Sequence, residues 1–216
     1  MIIHNFDLSN SVLNNFIAEI RDINIQKDAM RFRRNIERIG EILSYELSKK
    51  LNYNNHKVIT PLGEKITNTT INNLVLCSVL RAGLPLHQGI LNYFDQIENA
   101  FISAYRHHTT EDEFDIKVEY LASPSLDQKV LILADPMLAT GSSLVAVYKA
   151  LENLGDIKQI HLVCVIAAKE GIAFVEKHLP KNTHLWVATI DNELNSKGYI
   201  IPGLGDAGDL AFGQKI

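Results

Sequence analysis

The sequence predicts an α/β fold: a mainly parallel sheet flanked by helices, preceded by a helical arm and followed by a distinct C-terminal segment. Three observations carry this expectation. From residue 74 onward, apolar runs alternate with helical patterns, the β-α-β-α-β order of a parallel sheet with helices on both faces. The apolar runs are continuous rather than alternating, as strands covered on both sides are. The chain has 216 residues, 46% hydrophobic and 21% charged, which is enough for one sizeable core.

The elements follow in order. Val12, Leu13, Phe16, Ile17 and Ile20 fall at helical spacing and predict a short helix over 9–23. Ile36, Ile39, Leu43 and Leu47 form the stripe of a longer helix over 28–51. Arg31, Arg33, Arg34, Glu37 and Arg38 lie mostly off that stripe and read as a solvated face, from which an arginine could reach an anion or a second subunit. The polar stretch 52–57 reads as a loop within one domain. LVLCSVL (74–80), AFISAYR (100–106), VEYLAS (118–123), VLILA (130–134), IHLVCVIAA (160–168) and HLWVATI (184–190) read as strands. LPLHQGILNYF (84–94), SSLVAVYKALENLG (142–155) and GIAFVEKHL (171–179) read as helices, the second stopping at a glycine. Trp186 reads as core. The stretch 107–117 is polar; it is either a solvated loop or one that closes over a ligand.

Composition excludes several classes. With 21 Lys+Arg against 25 Asp+Glu the net charge is −4, which argues against a protein built to neutralise a nucleic-acid backbone. No run approaches the ~20 apolar residues that span a bilayer, and the start lacks a basic then apolar signal pattern, so no membrane association and a cytoplasmic location are expected. The two cysteines, Cys77 and Cys164, sit in apolar runs without metal-ligand spacing and read as buried thiols.

In sheets of this kind ligands bind beyond the carboxyl ends of strands, so the loops after strands rank first as functional segments. The most informative is VLILADPMLATGSSLVAVYKAL. An apolar strand ends at Ala134, Asp135 follows, and the turn 139–143 leads into a helix. Such a turn directs backbone N–H groups, hydroxyls and a helix N-terminus at one point, as a phosphate site does. It is not a P-loop, since GxxxxGK[ST] is absent. A second reading stays open, in which Thr140, Ser142 or Ser143 only caps the helix. Asp135 is placed to accept hydrogen bonds from two hydroxyls of a ribose hanging from that phosphate. The C-terminal segment carries five of the twelve glycines, at 198, 203, 205, 208 and 213, which let backbone approach a ligand closely; the other reading is a flexible tail, against which Tyr199, Ile200, Ile201, Leu204 and Phe212 argue.

These motifs resemble the uracil phosphoribosyltransferase family. DPMLATGSS is similar to that family's phosphoribosyl-diphosphate (PRPP) signature, usually DPMLATGGS. GYIIPGLGDAGDLAFG is similar to its uracil-binding ending, SVLRAGLPLHQGIL to its pyrophosphate-loop segment, and SAYR to its arginine motif. ILSYEL and IAAKEGI extend the match, which spans roughly residues 30–213. The resemblance implies a type I phosphoribosyltransferase-like fold in a single domain: a helical arm over about 1–55, a core with the PRPP loop over about 56–197, and a base-binding segment over about 198–216. It implies conversion of uracil and PRPP to UMP and pyrophosphate in pyrimidine salvage.

The resemblance also implies PRPP contacts at Arg81, Arg106, Asp135, Pro136, Met137, Leu138, Ala139, Thr140, Gly141, Ser142, Ser143 and Asp206. Uracil contacts fall at Ile200, Gly205, Asp206 and Ala207. Asp135, Arg106 and Asp206 are the residues expected to carry catalysis. Magnesium (Mg2+) is the implied cofactor, carried in with PRPP near Asp206 and without direct protein ligands. A homodimer or higher homo-oligomer and GTP as an effector are implied as partners, with no nucleic acid. The alternative on the same fold is a PRPP- or UMP-sensing regulator that binds RNA, for which a basic RNA-facing surface would be required.

The chain departs from the family pattern at Ser142, where a second glycine is usual, and at Pro85, where glycine is common. Leu210, Ala211, the ending QKI and the 107–117 stretch also differ. A serine at 142 is costly if that position needs a positive φ, and harmless if it is helical.

Overall fold

The computed structural model describes residues 1–71, 73–108 and 114–215, with backbone alone between 105 and 117. The chain opens with β1 (Ile2–Asn5), α1 (Leu13–Arg21) and α2 (Ala29–Ser48), then the hairpin β2 (Tyr53–Thr60) and β3 (Gly63–Thr70). β4 (Leu74–Leu80), α3 (Leu84–Leu91), β5 (Glu98–His108), β6 (Phe114–Ala122), β7 (Val130–Ala134) and β8 (Met137–Leu138) follow. α4 (Ser142–Leu151) runs into a 3-10 turn at Glu152–Leu154 and stops before Gly155. β9 (Gln159–Ala168), α5 (Lys169–His178), β10 (His184–Asp191), β11 (Glu193–Leu194), β12 (Ile200–Ile201) and α6 (Ala207–Phe212) complete the chain.

The main sheet has the order β1-β10-β9-β7-β4-β5-β6. Every neighbouring pair is parallel except β5 and β6, and β8 adds a short parallel pairing to β9. Successive strand residues point to opposite faces, which explains why the buried strands lack alternation. Leu74, Leu76, Ile132, Val163 and Trp186 pack with Ile20 of α1, Ile36 and Ile39 of α2 and Leu86 of α3. Val75, Cys77, Leu131, Leu133, Leu162 and Cys164 pack on the other face with Leu144 and Val147 of α4 and Val175 of α5. Both cysteines are buried and unbridged, and burial pushes the Cys77 thiol up to about 12. Pro85 lies in the first turn of α3, where its missing N–H costs no helical hydrogen bond.

Three local expectations are corrected. The opening residues are not lead-in to the arm: β1 is a parallel edge strand beside β10, with His4 in register with Trp186. Its four residues are too few to show a period. Most of the stretch 52–57 is not a loop: 53–57 lie in β2, which pairs with β3 from Tyr53↔Thr70 to Thr60↔Gly63. Both faces of that hairpin are largely exposed, so no apolar alternation marks it. The polar stretch 107–117 is partly a ribbon, since His107 pairs with Asp115 and His108 with Phe114. The pairing there is made between backbone groups. Residues 109–113 lie outside the described residues, and with them the reading of a closing loop.

Candidate active site

β7 delivers Asp135 to the carboxyl edge of the sheet. Pro136 is buried, and its carbonyl accepts from the amides of Val165 (3.0 Å) and Ile166 (2.9 Å), which locks the turn to β9. β8 then leads into Ala139 and Thr140, and Gly141 caps α4 with φ +82°. The left-handed residue is therefore Gly141, and Ser142 is the first residue of the helix. The Ser142 amide donates to Thr140 Oγ1 at 3.4 Å. The first-turn amides of α4 have no carbonyl inside the helix to bond and face out from its N-terminus.

Asp135 sits in surroundings that strip water from it, and this desolvation pushes its carboxyl up to about 6, against the pull of the Met137 amide, which donates to Oδ1 at 3.1 Å. A half-buried, desolvated acceptor of this kind gains from ligand hydroxyls that replace the lost water.

Arg81 follows β4. Its guanidinium donates to Asp209 of α6 at 3.2 Å and to the Gly213 carbonyl at 3.3 Å. The C-terminal segment folds back over the sheet edge. Leu194 pairs with Ile200 and Glu193 with Ile201, and the Asn195 side chain accepts from the amides of Lys197 (2.9 Å) and Tyr199 (3.0 Å). Asp206 caps α6 by accepting from the Asp209 amide at 2.9 Å.

These pieces meet around one cleft of about 530 Å³. Arg81, Asp135, Met137, Leu138, Ala139, Thr140, Gly141 and Ser143 line one part; Ile200, Gly205, Asp206 and Ala207 line the other. The size is that of a small-molecule site. Pro136 and Ser142 are not in the lining: the first is turned into the sheet, and the second has its hydroxyl 3.3 Å from Thr140 Oγ1. The Arg106 backbone pairs with Ile116 in the β5–β6 ribbon, and its side chain lies outside the described residues. Among the described residues no three His, Cys, Asp or Glu are grouped to hold a metal.

The uracil phosphoribosyltransferase family model matches residues 8–214. The chain belongs to the uracil phosphoribosyltransferase family. A uracil phosphoribosyltransferase of Porphyromonas gingivalis is 52% identical over 206 residues, covering 95% of each chain. One from Thermococcus gammatolerans is 38% identical, covering 93% of this chain and 88% of the relative. The solved AQ2163 protein of Aquifex aeolicus superposes with a TM-score of 0.88 at 29% identity over all of both chains. A hypoxanthine phosphoribosyltransferase of Staphylococcus aureus shares the fold at a TM-score of 0.50 and 14% identity, covering 86% of this chain and 83% of that one.

Within this uracil phosphoribosyltransferase family member, sequence reasoning missed three features of the site. Lys197, Tyr199 and Lys215 also line the cleft, with no pattern to announce them. Arg33, read as part of a solvated face, donates to the Ala211 carbonyl at 2.7 Å and lies over the Phe212 ring, so it secures α6. Its neighbours are also engaged internally: Arg31 with Glu19, Arg34 with Glu37 and Arg38 with Asn35. The basic segment is thus engaged in contacts within the chain, with the Arg31 and Arg34 side chains still half exposed. The third missed feature is a carboxylate–guanidinium pair, Asp191 with Arg21, whose partners lie too far apart in sequence to be matched by any local pattern.

Proposed function

We propose that the chain transfers the phosphoribosyl group of PRPP to a ring nitrogen of uracil, releasing pyrophosphate and forming UMP in pyrimidine salvage. The observation that carries this reading is the single cleft in which Asp135 and the 139–143 turn face the backbone-rich segment 200–207. The turn amides hold the 5′-phosphate and Asp135 accepts from the ribose hydroxyls. Arg81 and Arg106 offer planar forks to the diphosphate oxygens. Ile200, Gly205 and Ala207 meet the alternating acceptor–donor–acceptor edge of uracil through backbone groups.

The C–O bond from the anomeric carbon to diphosphate breaks as the bond to nitrogen forms, and the proton carried by that nitrogen is released with the diphosphate or to water. Charge grows on the leaving group, so positioning and electrostatic stabilisation do most of the work. The cleft presents two carboxylates, Asp135 and Asp206, and such hard oxygen donors fit a hydrated magnesium ion. Magnesium would be carried in with PRPP near Asp206, without a direct protein ligand, and would neutralise diphosphate oxygens.

A cytoplasmic location is supported by the two unbridged buried thiols, and no helix among the described residues is long and apolar enough to cross a membrane. A homodimer or larger assembly is supported by the β2–β3 hairpin. It exposes Ile59, Leu62 and Ile66, and a lone two-stranded hairpin is marginal without something to pack on. GTP belongs to the proposal as an effector to be assayed beside the substrates.

The test is turnover. Purified protein with uracil, PRPP and magnesium is expected to release pyrophosphate and form UMP. Turnover with another base and none with uracil would overturn the substrate assignment.

A further inference from the structure

We propose that Arg21 and Asp191 are positioning residues for the base-binding segment, acting through the peptide of Gly203. The proposal rests on the reading that residues 200–207 hold uracil.

Arg21 is the last residue of α1, and Asp191 ends β10. Their side chains form a two-pronged pair: Nη1 donates to Oδ2 and Nη2 to Oδ1, each at 2.8 Å. Arg21 Nη1 also donates to the Gly203 carbonyl at 3.0 Å, and the Gly203 amide donates to Asp191 Oδ2 at 3.0 Å. The pair therefore grips both polar groups of one residue. Thr189 Oγ1 lies 3.4 Å from Nη2 and donates to Asp7 at 2.9 Å, which ties the grip to the β1–α1 connection. Asp191 is 8% exposed at its side chain and Arg21 21%, so the pair is shielded from water and holds its geometry better than a surface bridge does.

Gly203 has φ +56°, and a Cβ there would lie 2.2 Å from the Ile200 carbonyl oxygen. Its conformation and its contact with Ile200 are thus bound together. Ile200 and Gly205 flank Gly203 and line the cleft, whereas Arg21, Asp191 and Gly203 do not. Where a base is read by backbone groups, no side-chain rotamer can correct an error. A displacement at Gly203 passes directly to the groups on either side of it. The helical arm, through Arg21, becomes part of the machinery that sets base affinity.

The closing experiment measures KM for uracil and for PRPP separately, with kcat. Arg21→Lys keeps the charge opposite Asp191 and loses the fork. It is expected to raise the uracil KM about tenfold, with the PRPP KM within about twofold and kcat within about threefold. The double variant R21Q/D191N leaves no unpaired buried charge and is expected to show the same split, so a folding defect of one variant does not decide the matter. Gly205→Ala, in the base site itself, is the control. If it raises the uracil KM while both clamp variants leave that KM unchanged, or shift both substrates equally, the positioning role is overturned. If Gly205→Ala also leaves the uracil KM unchanged, the base-site reading fails and the proposal falls with it.

Discussion

Gly171 of α5 lies so close to Ala139 that a Cβ on it would sit 2.0 Å from the Ala139 carbonyl oxygen. The start of α5 is thus the floor on which the proposed phosphate turn rests. Gly141 is packed from the same side, where a Cβ would meet the Gly171 carbonyl oxygen at 2.9 Å.

Gly171→Ala is expected to push the turn outward. Overpacking of this kind costs about 1–3 kcal/mol, seen as a lower urea midpoint. If the turn holds the phosphate as proposed, the PRPP KM should rise more than the uracil KM. An unchanged PRPP KM would separate the turn from phosphate binding.

Asp135 supplies a pH prediction. Its carboxyl is raised from 3.8 to about 6 by burial. The folded chain therefore binds more protons than the unfolded chain between these values, and this group's contribution to stability falls as pH rises through the window. Asp135→Asn should keep or raise stability at pH 7, by on the order of 1–2 kcal/mol. It should lower kcat/KM by about a hundredfold or more. In the parent enzyme kcat/KM for PRPP should fall as pH drops through about 6, read from a pH–rate profile.

Arg81 is shared between two partners. Its bridge to Asp209 is partly exposed on both sides and so contributes little stability, about 0–1 kcal/mol. On the proposed reading, the diphosphate would compete with Asp209 for the same guanidinium. Asp209→Asn should therefore lower the PRPP KM about two- to fivefold with little change in thermal midpoint. Arg81→Ala should raise that KM. Steady-state kinetics on the two variants checks both signs.

The edge strand β1 is expected to be acid-sensitive. His4 stacks on Trp186 at 3.8 Å between ring centres, and its Nε2 lies 3.0 Å from His184 Nδ1. His161 Nδ1 accepts from the Trp186 indole at 3.0 Å. Burial, then the neighbouring histidines, push His161 down to about 3. Burial also lowers His4, helped by His184 and Lys50, and lowers His184, helped by Lys50 and the N-terminal amine. Lowered histidine values mean that the unfolded chain binds protons first, so stability is full above about 6.5 and is lost as pH falls below it. His4→Phe keeps a ring on Trp186 and removes one titrating group. Urea unfolding at pH 7 and pH 5 should show a smaller acid loss in the variant.

The buried strands β4, β7, β9 and β10 were legible because each is a nearly continuous apolar run, and both sheet faces are covered. The 139–143 turn was legible because an apolar strand, a carboxylate and a helix start stand next to one another in the chain. β1, β2 and β3 were not. Their pairing is made by backbone groups, and their side chains carry no period. Arg33 was misread for a related reason: a charge off the apolar stripe looks solvated until a distant carbonyl, here that of Ala211, is brought to it.

The sequence by itself determined the layer order, the location of the 139–143 turn and the glycine-rich character of the C-terminal segment, since each depends on residues adjacent in the chain. Only the tertiary structure decided which residue takes the left-handed turn conformation, Gly141 rather than Ser142. It alone brought Arg21 to Asp191 and both to Gly203. Charge pairs and close backbone approaches across such separations depend on where the folded layers meet, and no local periodicity encodes that meeting.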